Sequence, residues 1–363
     1  MKHSSPSSAP LFESIQGLLA SQAEPADLNQ LRQKIADRAR DLVLADVVAV
    51  YAINPVTASD PRKRKFLLPP TISGDLYKSA DFYNQAPRPD GVTQEILEEG
   101  FLSVDDTTHS SRYQSTFVVS EEIRSFAGVA LRLGDVGKVL GIMYVDYRGP
   151  HAFSNVEKQD LLTYARFAAA ALSSTWYLRR YQEVSRIGQE INRDLGTVES
   201  LFEKLQRHLP GIMDASQFML LAIHQPQKGR LNLHLFEHGE YKVLRDVPLD
   251  GGCRWVIEQG KSLLVRELSR EEEELRREGV NLVEIPGTKP EDESLIFVPL
   301  LLRNADRQDA VALGALSVQH EQPNMYDDED VRILQALGHH LALAISNIGL
   351  FSGLERLAQS GQL

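Results

Sequence analysis

Cysteine is almost missing. Cys253 stands alone among 363 residues, so no internal disulfide forms and no paired-thiol metal or redox motif exists. That usage fits a reducing compartment, and the expectation is a cytoplasmic protein. Excess positive charge is missing too. Against 39 Lys and Arg stand 50 Asp and Glu, a net charge of −11, which disfavours a nucleic-acid surface because phosphate binding draws on clustered cations. Long hydrophobic runs are also lacking. Apolar stretches such as residues 167–172 fall well short of the roughly 20 residues that a membrane span needs. The first ten residues are rich in Ser and Pro and have no apolar secretory core, so residues 1–26 are expected to form a flexible tail.

What is there is a duplication. With 42% hydrophobic residues, the chain has apolar material for roughly two ordinary domains, and the two halves align. The run Leu140-Gly141-Ile142-Met143-Tyr144-Val145 matches Leu313-Gly314-Ala315-Leu316-Ser317-Val318, 173 residues later. The same register carries on without a gap: Pro150 meets Pro323, Phe153 meets Tyr326, Glu157 meets Asp330, Leu161 meets Leu334 and Ser173 meets Ser346. Further upstream the offset is 170, where Ala45 meets Ala215, Ala52 meets Ala222 and Ile53 meets Ile223. A repeat of this length is a duplicated globular domain and not a solenoid unit.

Each copy reads in the same order. An amphipathic helix comes first, with Leu28, Leu31, Ile35, Ala36, Ala39 and Leu42 in one copy and Leu201, Phe202, Leu205 and Leu209 in the other. An apolar strand follows at 46–53 and at 217–223. After a variable middle come two apolar strands, 125–133 with 138–147 and 295–302 with 310–319, whose short polar turns suit antiparallel hairpins. A long helix closes each copy, starting after Ser154 and after Asp327, both favourable N-caps with acidic residues in the first turn. The class is α+β: two domains, each an antiparallel sheet with helices mainly on one face. The expected division is 27–178 for the first domain, a linker helix over 179–196, and 197–363 for the second with its C-terminal helix.

These residues resemble the GAF family. The second copy carries the resemblance through Ser294-Leu-Ile-Phe-Val-Pro299, Ala312-Leu-Gly314-Ala-Leu-Ser-Val318, Tyr326-Asp-Asp-Glu-Asp-Val-Arg-Ile-Leu334 and Ala342-Leu-Ala-Ile-Ser-Asn347. In the first copy it rests on Gly128-Val-Ala-Leu131, Val139-Leu-Gly-Ile-Met-Tyr-Val145 and Phe153-Ser-Asn-Val-Glu157. Much of this pattern marks the fold: Gly141 and Gly314 permit close backbone approach inside strands, and Pro299 suits an edge or a bulge.

The resemblance implies a small-molecule-sensing regulatory module that passes ligand state through dimeric helices to an output domain or a partner protein. A ligand-free dimerisation scaffold is the alternative, and a catalytic GAF a distant third. The spacing of Tyr181, Val184, Ile187, Ile191 and Leu195, with Leu341 and Ile348 on the last helix, is that of a stripe facing a partner helix. The resemblance makes that partner a second copy of the chain; packing on its own domain is the competing account.

Ligand contacts are expected in the variable middle and beside it. In the first copy Asp106, Thr107 and Tyr113 follow a helix ending at Gly100, with Arg124 and Tyr144 on neighbouring strands. In the second, Gly251-Gly252-Cys253-Arg254-Trp255 opens a helix whose free N–H groups suit an anion, with Arg254 as a charged aid. No metal is expected, since His339 and His340 are adjacent on a helix and point apart. The cofactor is unknown. A cyclic nucleotide is only hinted at by Asn324, Tyr326 and Asp330, because the Lys and the Asp-Glu pair of that signature are missing. No covalent chromophore is expected, Cys253 lacking the adjoining His. One cysteine also cannot supply both the nucleophilic and the resolving thiol of a sulfoxide reductase. The basic run at 62–65 reads as a solvated loop and the acidic run at 271–274 as an exposed helix face.

Overall fold

Apolar alternation builds two sheets in the computed structural model of the chain, which describes residues 9–20, 27–54, 56, 66–78, 83–87, 91–134, 138–193, 196–282, 292–303 and 310–359. The chain divides into two units, Met1–Leu178 and Arg179–Leu363.

In the first unit, residues 9–20 depart from the expected tail and form α1 (Ala9–Ala20), which packs Leu11 and Ile15 against the core beside α2 (Leu28–Val43). Asp27 caps α2 by accepting from Asn29 N at 3.0 Å. The sheet runs β2-β1-β5-β4-β3, from β1 (Val47–Ala52), β2 (Thr71–Gly74), β3 (Phe101–Val104), β4 (Ser125–Arg132) and β5 (Val139–Tyr147), antiparallel throughout. Strand residues alternate between faces. One face, with Val48, Val50, Met143 and Val145, packs on α2 and on the start of α5 (Asn155–Arg193) through Ile35, Leu161 and Tyr164. Tyr164 is fully buried and donates to Ile35 O at 2.9 Å. The other face is covered by α3 (Val92–Glu99), α4 (Thr116–Ser120) and two short 3-10 turns at Thr107–His109 and Ser111–Tyr113.

The second unit repeats this order with an extra edge strand. Its sheet is β8-β7-β6-β11-β10-β9, from β6 (Phe218–Gln225), β7 (Arg230–Glu237), β8 (Glu240–Pro248), β9 (Leu263–Val265), β10 (Ser294–Arg303) and β11 (Ala310–His320). Helices α6 (Val198–His208) and α9 (Asp328–Gln359) cover one face, while α7 (Gly251–Gln259) and α8 (Leu268–Arg277) cover the other. The basic run at 62–65 lies outside the described residues; the acidic run 271–274 sits on α8 as expected.

Register corrects one alignment. Gly141 pairs with Ala52 and Gly314 with Ile223, so Ala52 corresponds to Ile223 and not to Ala222, and the upstream offset is one residue longer than the apolar matches implied. Both glycines allow close approach: a Cβ at Gly141 would meet Tyr51 O at 2.7 Å, and one at Gly314 would meet Ala222 O at 1.9 Å. Pro299 sits at a bulge, where the register shifts between Pro299 and Leu301. The capping device is also duplicated. Ser154 Oγ accepts from Glu157 N at 3.2 Å, and Asp327 Oδ1 accepts from Asp330 N at 3.0 Å. Ser125 and Ser294 open β4 and β10, and each ties a loop down through its hydroxyl, to Asp105 O at 2.7 Å and to Gln322 O at 2.7 Å.

The helical stripe goes to the chain's own core. Val184, Ile187 and Ile191 are buried with Leu201, Phe202, Leu334 and Leu341 inside the second unit. These side chains, and Leu341, are therefore not free to face a partner helix, because burying them against α6 and α9 already removes their apolar surface from water. Residues 179–193 are thus a wall of the second core and not a free linker. Ile348 is half-buried against that core, Tyr181 is 40% exposed, and Leu195 lies outside the described residues. The stretch Asp328–Leu350 is long and apolar enough to cross a membrane by composition, which the sequence reading missed. Its Ile333, Leu334, Leu337 and Leu341 are buried in the second core, and a soluble core helix passes the same test.

Candidate functional site

The face of the first sheet turned away from α2 carries the most distinctive chemistry. By register it displays Tyr51 on β1, Ile142, Tyr144 and Asp146 on β5, Phe126 and Gly128 on β4, and Leu102 and Val104 on β3. Gly128 lets α3 settle onto the sheet, since a Cβ there would meet Ile96 Cδ1 at 2.2 Å. The second unit solves the same contact in reverse. Phe297 occupies the position equivalent to Gly128, and the glycine has moved to the helix, where a Cβ on Gly252 would meet the Phe297 ring at 2.8 Å. The glycine-rich start of α7 is thereby a packing feature, and its N-terminal amide is answered by Asp250, which accepts from Gly251 N at 2.9 Å.

Across the first unit's face runs a row of aromatic rings from separate elements. Centroids lie 6.1 Å apart for Phe66 and Tyr51, 6.1 Å for Tyr51 and Tyr144, 6.3 Å for Tyr144 and Phe126, and 6.0 Å for Phe126 and Tyr113. All but the tilted Tyr144–Phe126 pair meet edge to face, which the ring quadrupole favours. The Tyr144 hydroxyl is 2.8 Å from Thr93 Oγ1 on α3. Burial, and then the charge of Asp146, push the Tyr51 phenol up to about 12 and raise Tyr144 as well.

Of the residues expected to line a ligand site, the structure brings Tyr113 and Tyr144 into this row. Asp106 and Arg124 are paired with each other at its rim, 3.2 Å apart. Hydrogen bonds from Thr108, with help from Arg124, hold the Asp106 carboxyl down at about 2. Thr107 is buried and donates to Ile123 O at 2.8 Å, which makes it a turn residue. Arg254 belongs to the second unit, where it pairs along its own helix with Glu258 at 2.8 Å.

Residues that the sequence did not single out matter more. Asp146 is 2% exposed, on the same face as Tyr144 and opposite Phe126. Glu121, with no exposed surface, gathers donors from Tyr77 N, Lys78 N, the Tyr83 hydroxyl and Arg148. Burial pushes Glu121 up, but these donors outweigh it and hold the carboxyl below its ordinary range. This network ties Tyr77, Lys78 and Tyr83 to Arg148, the residue that follows β5. The signal for Asp146 was available: an acid in phase with Ile142 and Tyr144 in an otherwise apolar strand.

Cys253, the single thiol, is buried, and burial pushes it up to about 12. It is therefore protonated at neutral pH and is no nucleophile, since thiolate is the reactive form.

A family profile described as a GAF domain matches residues 27–172, and a second profile of the same description matches 196–346. No curated protein matches the chain. Solved structures that resemble it include the following three. One is the GAF domain from an Acinetobacter phosphoenolpyruvate-protein phosphotransferase, at 16% identity over 46% of this chain and 91% of that one, TM-score 0.36. The next is free methionine-R-sulfoxide reductase from Neisseria meningitidis in complex with its substrate, at 18% identity over 48% of this chain and 96% of that one, TM-score 0.36. A bacteriophytochrome from the photosynthetic bacterium R. palustris matches at 12% identity over 95% of this chain and 77% of that one, TM-score 0.43. With a profile matched in each half and the same order of paired strands built twice, the chain belongs to the GAF family and carries two GAF domains in tandem.

Proposed function

We propose that the chain is a small-molecule-sensing regulatory module whose first domain takes the ligand and whose α5 helix conveys the change. GAF domains are in general sensing and signalling modules. The observation that carries the reading is that one uninterrupted helix supplies core residues to each domain: Leu161 and Tyr164 to the first, Val184, Ile187 and Ile191 to the second. A ligand that shifts the packing of α5 on the first sheet changes a wall of the second core, because packed cores respond by switching between arrangements and not by deforming smoothly. Asp106, Tyr113, Arg124 and Tyr144 line the ligand face or its rim in this reading. Arg254 and Thr107 have no part in it. The module acts without catalysis, the protonated Cys253 supporting a regulatory role.

The test is a thermal-shift screen of the full chain against a metabolite library that includes cyclic nucleotides and amino acids. Hits are followed by amide hydrogen exchange. A ligand of the first domain should raise Tm and change protection over 179–193. A screen without any stabilising compound, or a hit that alters the first domain and leaves 179–193 untouched, overturns the reading.

A second reading, a homodimeric scaffold, is favoured by the exposed apolar residues of α5. Val156, Phe167 and Leu178 are spaced by eleven residues and so lie along one line of the helix, with Tyr181 beside them; exposures are 51%, 40%, 57% and 40%. Pairing of two chains along this line is compatible with sensing, and it replaces the buried stripe as the route to a dimer.

A further inference from the structure

Among the described residues, the carboxyl of Asp146 meets no hydrogen-bond donor and no cation, and its Oδ2 is sealed from solvent without a partner. A buried, unpaired carboxylate is destabilising, so a protein that keeps one either holds it neutral or supplies a positive charge from elsewhere. Burial alone accounts for the shift of this group, which is pushed up to about 8. Among the described residues, no Arg, Lys or His offsets it.

The duplicated domain shows that the fold does not need an acid here. In the second domain the equivalent position is Gln319, likewise buried and likewise on the face away from α9, and its Nε2 donates to Ser317 Oγ at 3.1 Å. Ser317 itself stands where the first domain has Tyr144. The pair in the second domain is neutral and self-satisfied. Its counterpart in the first is an acid beside an aromatic row, an arrangement that costs stability when empty.

Aromatic faces stabilise a nearby cation, and a carboxylate gives an ammonium group a charge-assisted hydrogen bond. Phe126 lies directly across from Asp146, and Tyr144 two residues along the same strand face. We propose that the first domain binds a protonated amine between this face of its sheet and the helices that cover it, the ammonium group meeting Asp146 and the carbon skeleton lying along Tyr51, Phe126 and Tyr144. This rests on the sensing reading above and names its ligand class. The other groups that feel this carboxylate are the phenols of Tyr51 and Tyr144, both uncharged at neutral pH. Binding therefore displaces the Asp146 proton, and one proton leaves for each amine taken up near pH 7.

The experiment titrates the full chain with ethanolamine, choline, putrescine and histamine, with 3,3-dimethylbutan-1-ol as the uncharged isostere of choline. Thermal shift and calorimetry in two buffers of different ionisation enthalpy are read out. At least one amine should raise Tm by several degrees, as a ligand bound only by the folded state does, and should bind the wild type at least about tenfold more tightly than Asp146→Asn. The buffer comparison should show proton release for the wild type, a readout that needs no variant. The proposal is overturned if no amine stabilises the wild type, if wild type and Asp146→Asn respond alike, or if binding releases no proton. Should the amines fail while an uncharged or anionic compound of the wider library stabilises the first domain, the amine inference falls and the sensing reading stands. If nothing stabilises it, both fall.

Discussion

Arg180 Nη2 lies 2.5 Å from Asp330 Oδ1, and both residues are shut away from solvent, at 3% and 5% exposure. Asp330 also accepts from Asp327 N on its other oxygen at 2.9 Å, so the arginine is clipped onto the capping box that starts α9. Removing one partner strands the other charge inside the protein, which costs about 3–5 kcal/mol, whereas an apolar pair of similar volume is close to neutral. Arg180→Met should therefore destabilise the second domain strongly in urea denaturation. The double change Arg180→Met with Asp330→Leu should recover most of the loss, apart from the cap. Equal loss in the single and double variants would show that the ion pair itself carries the stability.

Asp146 makes stability depend on pH in a defined direction. Its carboxyl ionises at about 8 in the folded protein against an ordinary value of 3.8, so the folded state holds a proton that the unfolded chain gives up. The resulting stability is fully present below pH 4, declines between about 4 and 8, and is gone above that. For one proton the folded-to-unfolded ratio falls about tenfold per pH unit across the window. Denaturation midpoints of wild type and Asp146→Asn should diverge as pH rises from 5 to 8, the variant becoming relatively more stable. Parallel profiles would mean that Asp146 is solvated or paired.

The reciprocal glycines predict a compensating exchange. Gly128→Ala drives a methyl into Ile96, and overpacking of this kind costs about 1–3 kcal/mol. Pairing it with Ile96→Val or Ile96→Ala should return part of the loss, a coupling visible in a double-mutant cycle. Gly252→Ala should behave in the same way against Phe297→Leu in the second domain. Additive losses would mean that the helices stand off the sheets further than the contacts indicate.

The exposed line on α5 and the buried stripe beside it separate assembly from folding. Phe167→Asp with Leu178→Asp should shift a sedimenting dimer to monomer at low micromolar concentration while leaving Tm within about 2 °C, since neither side chain is buried within its own domain. Ile187→Asp should instead unfold the second domain, a charge there having nowhere to be solvated. A wild-type monomer at high concentration removes the dimer altogether.

Legibility in the sequence followed burial. The paired strands 125–132 and 139–147, their counterparts at 294–303 and 310–320, and the helices after Ser154 and Asp327 are two-sided or capped by short local signals, which periodicity and cap chemistry reveal. Strand β8 left no such trace, because most of its side chains are at least partly exposed and its residues lack apolar alternation. The stripe at Val184, Ile187 and Ile191 was correctly legible as a buried face. What periodicity cannot state is which surface does the burying, and here α6 and α9 of the same chain won over a second copy. Asp146 was passed over for a related reason. An acid in a strand reads as a solvent-facing position until its neighbours at 142 and 144 are placed beneath a helix.

The last turns of α5 also alter what counts as a separable piece. The matched family segment of the second domain begins at 196, yet Val184, Ile187 and Ile191 fill its interior from upstream. A fragment started at Val198 would open a trough along Leu201, Leu205 and Leu341, with three large side chains gone. Such a piece should express poorly and expose apolar surface, while one started at Arg179 keeps its interior whole. Gene fusions or evolutionary shuffling that transplant this domain intact must therefore carry the tail of its neighbour's helix with it, so the unit of inheritance is longer than the unit of similarity.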